Sequence, residues 1–304
     1  MYNVETFELS DARDERWHAV APASSWPDPR HAPALHLLSQ NGTTIGRAAT
    51  LINPAFKEGL IGWYECTDDP DASRILLARA LQNLKDRGCT DVLGPINGTT
   101  WHAYRFGNGL PQFFMDIQNK PWYPTQFENA GFESVERYYS RLVPLTSLVS
   151  NTPPISLRTL DRTLFNEEIE NIYRMSVLGF AGNPYYSDIS LQDFRGLYMG
   201  IDRVLDPELV LFAEVDGIPA GFLFSVPNGM DRAHKTVIFK TTCVLPEYRG
   251  QRIFRALVSG AASAALEKGY DSAILALYRE NNASALPRIG GHIVRQYHLY
   301  RRSL

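Results

Sequence analysis

The sequence predicts an α/β protein of two similar domains, each a mixed, mostly antiparallel sheet flanked by helices. The length of 304 residues suits about two domains of ~150 residues. Each half contains an amphipathic helix, a glycine turn and an apolar strand, in "RILLARALQNLKDRGCTDVLGPI" and in "RIFRALVSGAASAALEKGYDSAILAL". Between them, "TSLVSNTPPIS" places Ser and Asn before two prolines, which breaks regular structure. We therefore expect domains at 1–148 and 155–304.

The two halves match in further detail, which indicates a tandem duplication. Gly88 and Gly269 are expected to end the two equivalent helices as C-caps. Each half then closes with a similar strand, "GFESVERYYSRL" from Gly131 and "GGHIVRQYHLYR" from Gly290. A repeat of the whole order of elements is harder to produce by chance than one matching segment.

The second half can be assigned element by element. Its predicted strands are "ISLRTLD", a hairpin turning on Asp216-Gly217, "KTVIFKTTCVL", "SAILALY" and "HIVRQYHLYRR". Its predicted helices are "FNEEIENIYRMSVLGF", "SLQDFRGLYMGIDRVL" with Ser190 as N-cap, and the small-residue helix after Arg252. The predicted result is a mixed sheet with helices on its faces.

Composition excludes several classes of function. A net charge of −3 without long charged blocks gives no bulk attraction to nucleic acid or to a membrane. Cys66, Cys89 and Cys243 are odd in number and far apart, which argues against a disulfide framework and fits a reducing cytoplasm. The histidines lack ligand spacing and no G-x-S-x-G elbow occurs, so we expect neither a metal nor a serine nucleophile. We expect a cytoplasmic protein, monomeric or homodimeric.

The loop "VLPEYRGQRIF" is the main candidate for a binding site. It joins the apolar strand to the small-residue helix, so the first backbone N–H groups of that helix point outward at the positive end of its dipole. Such an end binds phosphate, and Arg249 and Arg252 add donors suited to pyrophosphate oxygens. A surface turn with two solvated arginines is the alternative interpretation.

With these residues in view, the second half resembles the GNAT superfamily of acyl-CoA-dependent N-acyltransferases. The resemblance is carried by "VLPEYRGQRI", by the following helix and by "ENNASALPRIGG". It implies acetyl-CoA or another acyl-CoA as co-substrate, and no metal. It also implies that the cofactor-binding residues are Thr242, Cys243, Val244, Arg249, Gly250, Gln251, Arg252, Ile253, Asn281 and Asn282.

The sequence departs from the family pattern at two loop positions. The family's two loop glycines fall on Arg252 and Phe254, although Gly250 matches a glycine commonly found after the arginine. If Arg252 and Phe254 have helical dihedral angles, the missing glycines affect only how closely the backbone approaches a ligand. In the first half, "ECTDDPDAS" stands where the loop would be, and its aspartates predict that this half binds no cofactor.

The residues of catalysis and acceptor binding are less well determined. The family's tyrosine acid is absent from "ASALPRIGG", and a family glutamate base would fall near Lys240. Replacement candidates, each of which could equally be a packing or surface residue, are Tyr278, Tyr297, His298 and Tyr300. Asn183, Tyr185 and Tyr186 could form a wall of an acceptor pocket or pack on the core. Cys243 as a nucleophile is disfavoured, because no histidine is local to it.

The whole chain also resembles bacterial two-domain acetyltransferase-like proteins. The expected function is transfer of an acyl group from acetyl-CoA to a small amine or amino-acid-like acceptor. Two alternatives remain open: a catalytically silent binding or regulatory protein with this fold, and an aminoacyl-tRNA-dependent transferase of the tandem type. Against the second, the near-neutral composition offers no evident basic face for RNA.

Overall fold

The computed structural model describes residues 1–9, 14–22, 25–109, 112–151, 155–231, 235–281 and 290–304. These residues form two compact units. The first unit comprises Met1–Asn108, Ile117–Arg137 and Tyr297–Leu304, and the second comprises Gly109–Asp116 and Tyr138–Gln296.

The first unit contains six strands, the beginning of a seventh and two helices. These are β1 (Tyr2–Glu8), β2 (Ala34–Gln40), β3 (Thr43–Leu51), β4 (Gly59–Cys66), α1 (Pro70–Asp86), β5 (Asp91–Gly94), β6 (Phe106–Asn108), α2 (Tyr123–Asn129) and the start of β7 (Glu133–Pro144). The C-terminal part of the last strand of the chain also belongs to this unit.

The second unit contains the rest of β7 and the remaining elements. These are β8 (Ser156–Thr159), α3 (Phe165–Phe180), α4 (Leu191–Leu197), β9 (Val210–Val215), β10 (Ile218–Pro227), β11 (Thr236–Val244), α5 (Ile253–Glu267), β12 (Ser272–Arg279) and β13 (His292–Ser303). Only residues 292–296 of β13 belong to this unit.

The two units have the same strand topology. In the first, β1, β2, β3 and β4 pair antiparallel in sequence, and β4 pairs parallel with β5. In the second, β8, β9, β10 and β11 pair antiparallel in sequence, and β11 pairs parallel with β12. In both units the helix that follows the fourth strand leads to the fifth, as the connection of parallel strands requires. The predicted fold class is confirmed.

The next strand of each unit comes from the other half of the chain. In the first unit β5 pairs antiparallel with the end of β13, from Tyr300 opposite Gly94 to Ser303 opposite Asp91. In the second unit β12 pairs antiparallel with the end of β7, from Ser272 opposite Pro144. The two halves of the sequence therefore exchange the strand that pairs beside β5 and beside β12. The division at 1–148 and 155–304, which concerns the duplicated sequence, stays a prediction.

Helix ends follow the local sequence closely. Gly88 and Gly269 have φ of 84° and 80°, and the residue after each donates its N–H to a carbonyl in the last helical turn. The Ser190 side chain accepts from the N–H of Asp193, as its predicted N-cap role requires. The predicted helix beyond Ser190 is shorter than expected. It ends at Leu197, and Gly200, with a left-handed φ of 80°, precedes a separate 3-10 turn over Ile201–Arg203.

Each unit has its own hydrophobic core. In the first, α1 buries Leu76, Leu77 and Leu84 against strand residues such as Ile61. In the second, the alanine-rich α5 packs closely on strand residues such as Leu223. Each core is what the amphipathic pattern of its helix predicts. Among the described residues, no helix is both long and apolar enough to cross a membrane.

Candidate functional site

Strands β11 and β12 part from each other at the carboxyl end of their shared ladder. The parallel register runs from Thr236 opposite Ser272 to Phe239 opposite Leu275. Strand β11 continues to Val244, where it is still paired with β10. Residues 240–244 therefore present an edge that does not pair with β12 within the described residues. The N–H and C=O groups of such an edge can pair with an extended amide-containing ligand.

An irregularity in β11 accompanies this separation. The β10 register shifts between Phe224, opposite Thr241, and Ser225, opposite Phe239, so Lys240 is the additional residue of a bulge. The Lys240 side chain donates from Nζ to the carbonyl oxygen of Met115 at 2.8 Å. Bulges re-aim the strand that contains them, which favours the opening of the sheet at this point.

The loop after β11 contains two left-handed residues. A single 3-10 turn over Pro246–Tyr248 precedes Arg249, which is extended. Gly250 then has φ of 84°, and Arg252 has φ of 65° and ψ of 10°. The condition of helical dihedral angles is therefore not met at Arg252, because this residue occupies the left-handed region that a glycine adopts freely. An L-residue there costs roughly 1–2 kcal/mol.

The loop leads directly into α5, whose N-terminus has no side-chain cap. Arg252 is the N-cap of the 15-residue helix α5, and its side chain makes no capping hydrogen bond. Asp, Asn, Ser or Thr would satisfy a first-turn N–H at this position, whereas an arginine side chain has no acceptor. The first-turn amides of α5 are therefore available to an external anion, with the helix dipole favouring negative charge.

The two arginines of the loop have different surroundings. Arg249 donates from Nη2 to the Gly179 carbonyl at 2.9 Å and from Nε to the Val244 carbonyl at 3.3 Å. These two hydrogen bonds connect the end of α3 to the end of β11, so Arg249 positions the loop. Arg252 is exposed. Phe254 is half-buried in the first turn of α5 and packs against the core, so its ring points away from the loop.

The Cys243 thiol is a packing group. It is buried and donates to the Met175 carbonyl at 3.4 Å. Burial raises the pKa of Cys243 to about 12, so the thiolate needed for nucleophilic attack is not formed near neutral pH. A Cβ at Gly179 would lie 2.1 Å from the Cys243 sulfur, so α3 can approach β11 this closely only with glycine at that position. Thr242 and Val244 flank the thiol and are half-buried.

The predicted acceptor residues lie in the same unit, just after α3. The Asn183 N–H donates to the Phe180 carbonyl at 2.8 Å, and its side chain is exposed. Tyr185 has a left-handed φ of 60°. The Tyr186 hydroxyl donates to the Val177 carbonyl at 3.4 Å, and burial raises the pKa of this phenol.

The four catalytic candidates are divided between the two units. Tyr278 lies near the end of β12, in the unit of the loop, and its hydroxyl accepts from Arg141 Nε at 3.3 Å. Tyr297, His298 and Tyr300 belong to the first unit. Tyr297 and Tyr300 are buried, and the Tyr300 hydroxyl donates to Glu128 at 3.1 Å. A 2.8 Å hydrogen bond joins His298 to Ser134.

The remaining predicted contacts are only partly described. Asn281 is exposed at the end of β12, and Asn282 lies outside the described residues. Within the described part of the chain, no cluster of three or more His, Cys, Asp or Glu side chains is arranged to hold a metal ion.

Sequence reasoning missed the positioning role of Gly179. It also missed the buried Arg47 of β3, although an arginine directly before the mostly apolar run "AATL" was a visible signal.

Residues 168–288 match the family described as acetyltransferase (GNAT) family. The match covers about two fifths of the chain. The matched region contains the strand, loop and helix described above, so it includes the uncapped end of α5. Members of the matching family are acyltransferases, and the match supports acyl transfer as the reaction class.

Solved structures show the same fold over the whole chain. A tandem GNAT protein from the clavulanic acid biosynthesis pathway is 13% identical, with a TM-score of 0.57, and the match covers 99% of this chain and 98% of that one. A probable N-acyltransferase from Enterococcus faecalis V583 is 10% identical, with a TM-score of 0.57, and the match covers 100% of this chain and 73% of that one. The architecture of two tandem GNAT-like folds is thereby confirmed.

One curated protein is related in sequence. The bacterial ceramide synthase of Caulobacter vibrioides is 23% identical over 235 residues, which cover 70% of this chain. The matched region spans 61% of the length of that protein.

Proposed function

We propose that the chain is an N-acyltransferase that takes an acyl group from acyl-CoA and passes it to an amine. The second unit binds the CoA, with its diphosphate at the start of α5 and its pantetheine amides along the open edge of β11. Thr242, Val244, Gly250, Gln251, Arg252 and Ile253 are the residues assigned to this binding, and Arg249 positions the loop.

The observation that carries the proposal is the uncapped N-terminus of α5. Its first-turn amides have no side-chain acceptor from the N-cap, and two left-handed residues, Gly250 and Arg252, turn the chain immediately before it. Space above the loop is open, since a Cβ at Gly250 would meet nothing within 4 Å. An anion of the size of a diphosphate suits both the charge and the access of this helix end.

The chemistry of the acceptor is proposed from the related proteins. Ceramide carries its acyl group on an amine nitrogen, so the name of the Caulobacter relative denotes an N-acylated product. The Enterococcus structure is described as a probable N-acyltransferase. We infer an amine acceptor for this chain as well, with Asn183, Tyr185 and Tyr186 as a wall of its pocket. Tyr278 is the proposed proton donor to the leaving thiolate, because it alone of the four candidates lies in the unit of the loop.

A matched pair of substitutions tests the CoA site. Gly250→Asp and Gly250→Asn introduce side chains of nearly equal size, and both residues tolerate a left-handed φ better than other L-residues. Only the aspartate adds a negative charge beside the proposed diphosphate, and like charges ~4 Å apart repel by about 1–4 kcal/mol near a protein surface. In calorimetric titrations with CoA we expect Gly250→Asp to bind at least about fivefold more weakly than Gly250→Asn.

The same two variants separate the competing functions. Equal CoA affinity of the two variants would refute this loop as the diphosphate site. If the aspartate variant alone loses CoA, release of free CoA from acetyl-CoA and from longer acyl-CoAs is then measured with a panel of amines. Binding without acyl transfer to any amine would favour the catalytically silent alternative.

A further inference from the structure

The first unit contains a cavity of about 230 Å³ that the proposed acyl transfer does not use. All its lining residues belong to the first unit, which does not contain the loop after β11. The lining is polar and aromatic, and includes Arg47, Trp63, Glu65, Asn97, Asn119 and Tyr123. At ~30 Å³ for each water molecule, the volume equals that of about eight waters, which is the scale of a small metabolite.

A buried cation lies in the wall of this cavity. The Arg47 side chain on β3 is almost fully buried, and its Nη1 donates to the Trp17 carbonyl at 2.5 Å. Its guanidinium lies 4.5 Å from the centre of the Trp17 ring. Burial lowers the pKa of Arg47 to about 10, so the group is still charged at neutral pH. Its Nε is also buried and has no hydrogen-bond partner among the described residues.

An anion lies opposite this cation. Arg47 and Glu65 are direct partners in the β3–β4 register, so their Cβ atoms are about 4.5–5.5 Å apart. The Glu65 carboxylate accepts a 2.5 Å hydrogen bond from the Tyr123 hydroxyl. Arg47 and Glu65 form no ion pair within 4.0 Å, although both are described. Each charged side chain instead has a neutral hydrogen-bond partner, Trp17 for Arg47 and Tyr123 for Glu65, and both charges line the same cavity.

We propose that this cavity binds a small zwitterionic amino acid, with its carboxylate on Arg47 and its ammonium group on Glu65. A guanidinium presents parallel N–H donors that match a carboxylate, and the free Nε is one of them. A carboxylate that accepts one hydrogen bond from a phenol can accept more from an ammonium group. The ligand would complete a charge arrangement that is otherwise costly to bury. The Trp63 ring supplies an apolar wall for the ligand's side chain.

The tryptophans allow this binding to be observed in isolation. All five, at positions 17, 26, 63, 101 and 122, lie in the first unit, so selectively excited tryptophan fluorescence reports on that unit alone. The full chain is titrated with each common free L-amino acid. The amino acid that changes the emission is then compared with its N-acetyl derivative, which lacks the ammonium group, and with its carboxamide, which lacks the carboxylate. We expect both derivatives to bind about tenfold or more weakly.

Three substitutions complete the test. We expect Arg47→Met to weaken binding roughly 30-fold or more, because it removes one partner of a buried charge pair. Glu65→Gln keeps an acceptor for Tyr123 and should weaken binding about tenfold. This variant tests the binding site if Arg47→Met does not fold. Arg74→Met, an identical change at an exposed arginine on α1, should leave binding unchanged.

Several results would overturn the proposal: no amino acid changes the emission, an N-acetyl derivative binds as tightly as the free amino acid, or Glu65→Gln binds as tightly as the original chain. The titration contains no CoA, so its outcome is independent of the proposed acyl transfer.

Discussion

The two units begin equivalent helices in opposite ways. In the first, α1 follows β4, and the Asp69 side chain accepts from the N–H groups of Asp71 at 2.9 Å and Ala72 at 3.1 Å. In the second, α5 follows β11, and Arg252 at the same capping position gives its helix no acceptor. The topology before each helix is the same, so the difference lies in the capping side chain and in the charge around it.

This contrast explains why the anion site is proposed in only one of the two units. A capping carboxylate occupies the amides that an anion would use, and it also repels negative charge. Once Asp69 performs this role, α1 is stabilised by its own chain. Among the described residues, the start of α5 has no capping side chain, so the proposed diphosphate would stabilise this helix end by supplying the negative charge.

The helices also rest on different surfaces. Beneath α1, the Thr50 hydroxyl donates to the Asn83 side chain at 2.7 Å and lies 3.0 Å from His36 Nε2. His36 Nδ1 lies 3.0 Å from the Thr6 hydroxyl. Because Thr50 uses its hydrogen for Asn83, His36 Nε2 is the donor to Thr50, and the ring is neutral with Nδ1 as acceptor. Helix α5 instead rests on the sheet through alanines and leucine.

The largest expected effect is a loss of stability of the first unit in acid. Burial lowers the pKa of His36 to about 4, below the unfolded value of about 6.5. The free energy of unfolding therefore has its full value above pH 6.5. It decreases between pH 6.5 and pH 4, because in this range His36 takes up a proton only in the unfolded chain. The slope is about 1.4 kcal/mol per pH unit, or about 3 kcal/mol by pH 4. Urea unfolding followed by tryptophan fluorescence between pH 7 and pH 4 measures this loss.

A His36→Gln variant isolates the histidine from other acid-sensitive groups. Its amide can hydrogen-bond Thr6 and Thr50 but does not titrate in this range. Carboxyl groups with lowered pKa, such as Asp14 and Asp28, remain in both proteins and cancel in the difference. If the variant loses as much stability as the original chain between pH 6.5 and pH 4, the linkage to His36 is wrong.

The second effect concerns Asp69, the N-cap of α1. Asp69→Ala removes the acceptor of two first-turn amides and should destabilise the first unit by about 1 kcal/mol. Asp69→Asn retains a capping acceptor of equal size and should cost only a few tenths of that value. Both are measured from urea midpoints by tryptophan fluorescence at pH 7. Equal losses in the two variants would show that charge, and not capping, sets the stability of this helix end.

The elements that sequence predicted well are those with local causes. Gly88 and Gly269 end their helices, Ser190 caps α4, and Asp216-Gly217 turns the hairpin with φ of 52° and 76°. In each case the residue type itself satisfies a backbone group or adopts an unusual dihedral angle at low cost. The duplication was visible for the same reason, because both copies keep these local signals.

The exchange of strands between the two halves of the sequence has no local signal. The segments that form β7 and β13 both alternate as half-buried strands do, and alternation does not say which partner a strand will choose. The left-handed φ of Arg252 was missed for a related reason. Arginine gives no sign of this conformation, which is imposed by the closure of the loop between β11 and α5.

The smallest predicted effect tests that strain directly. Arg252→Gly removes a left-handed penalty of roughly 1–2 kcal/mol, while glycine's larger freedom in the unfolded chain costs about 0.5–1 kcal/mol. We expect a net gain of about 0.5 kcal/mol in the second unit, which has no tryptophan and is followed by circular dichroism or calorimetry. Arg252→Ala keeps the strained dihedral angle and loses the same guanidinium, so it should show no gain.

Because the α5 amides are the proposed diphosphate ligands, Arg252→Gly should still bind CoA. A loss of CoA shared equally by both variants would instead assign the affinity to the guanidinium, and the backbone of this helix start would then be a minor contributor.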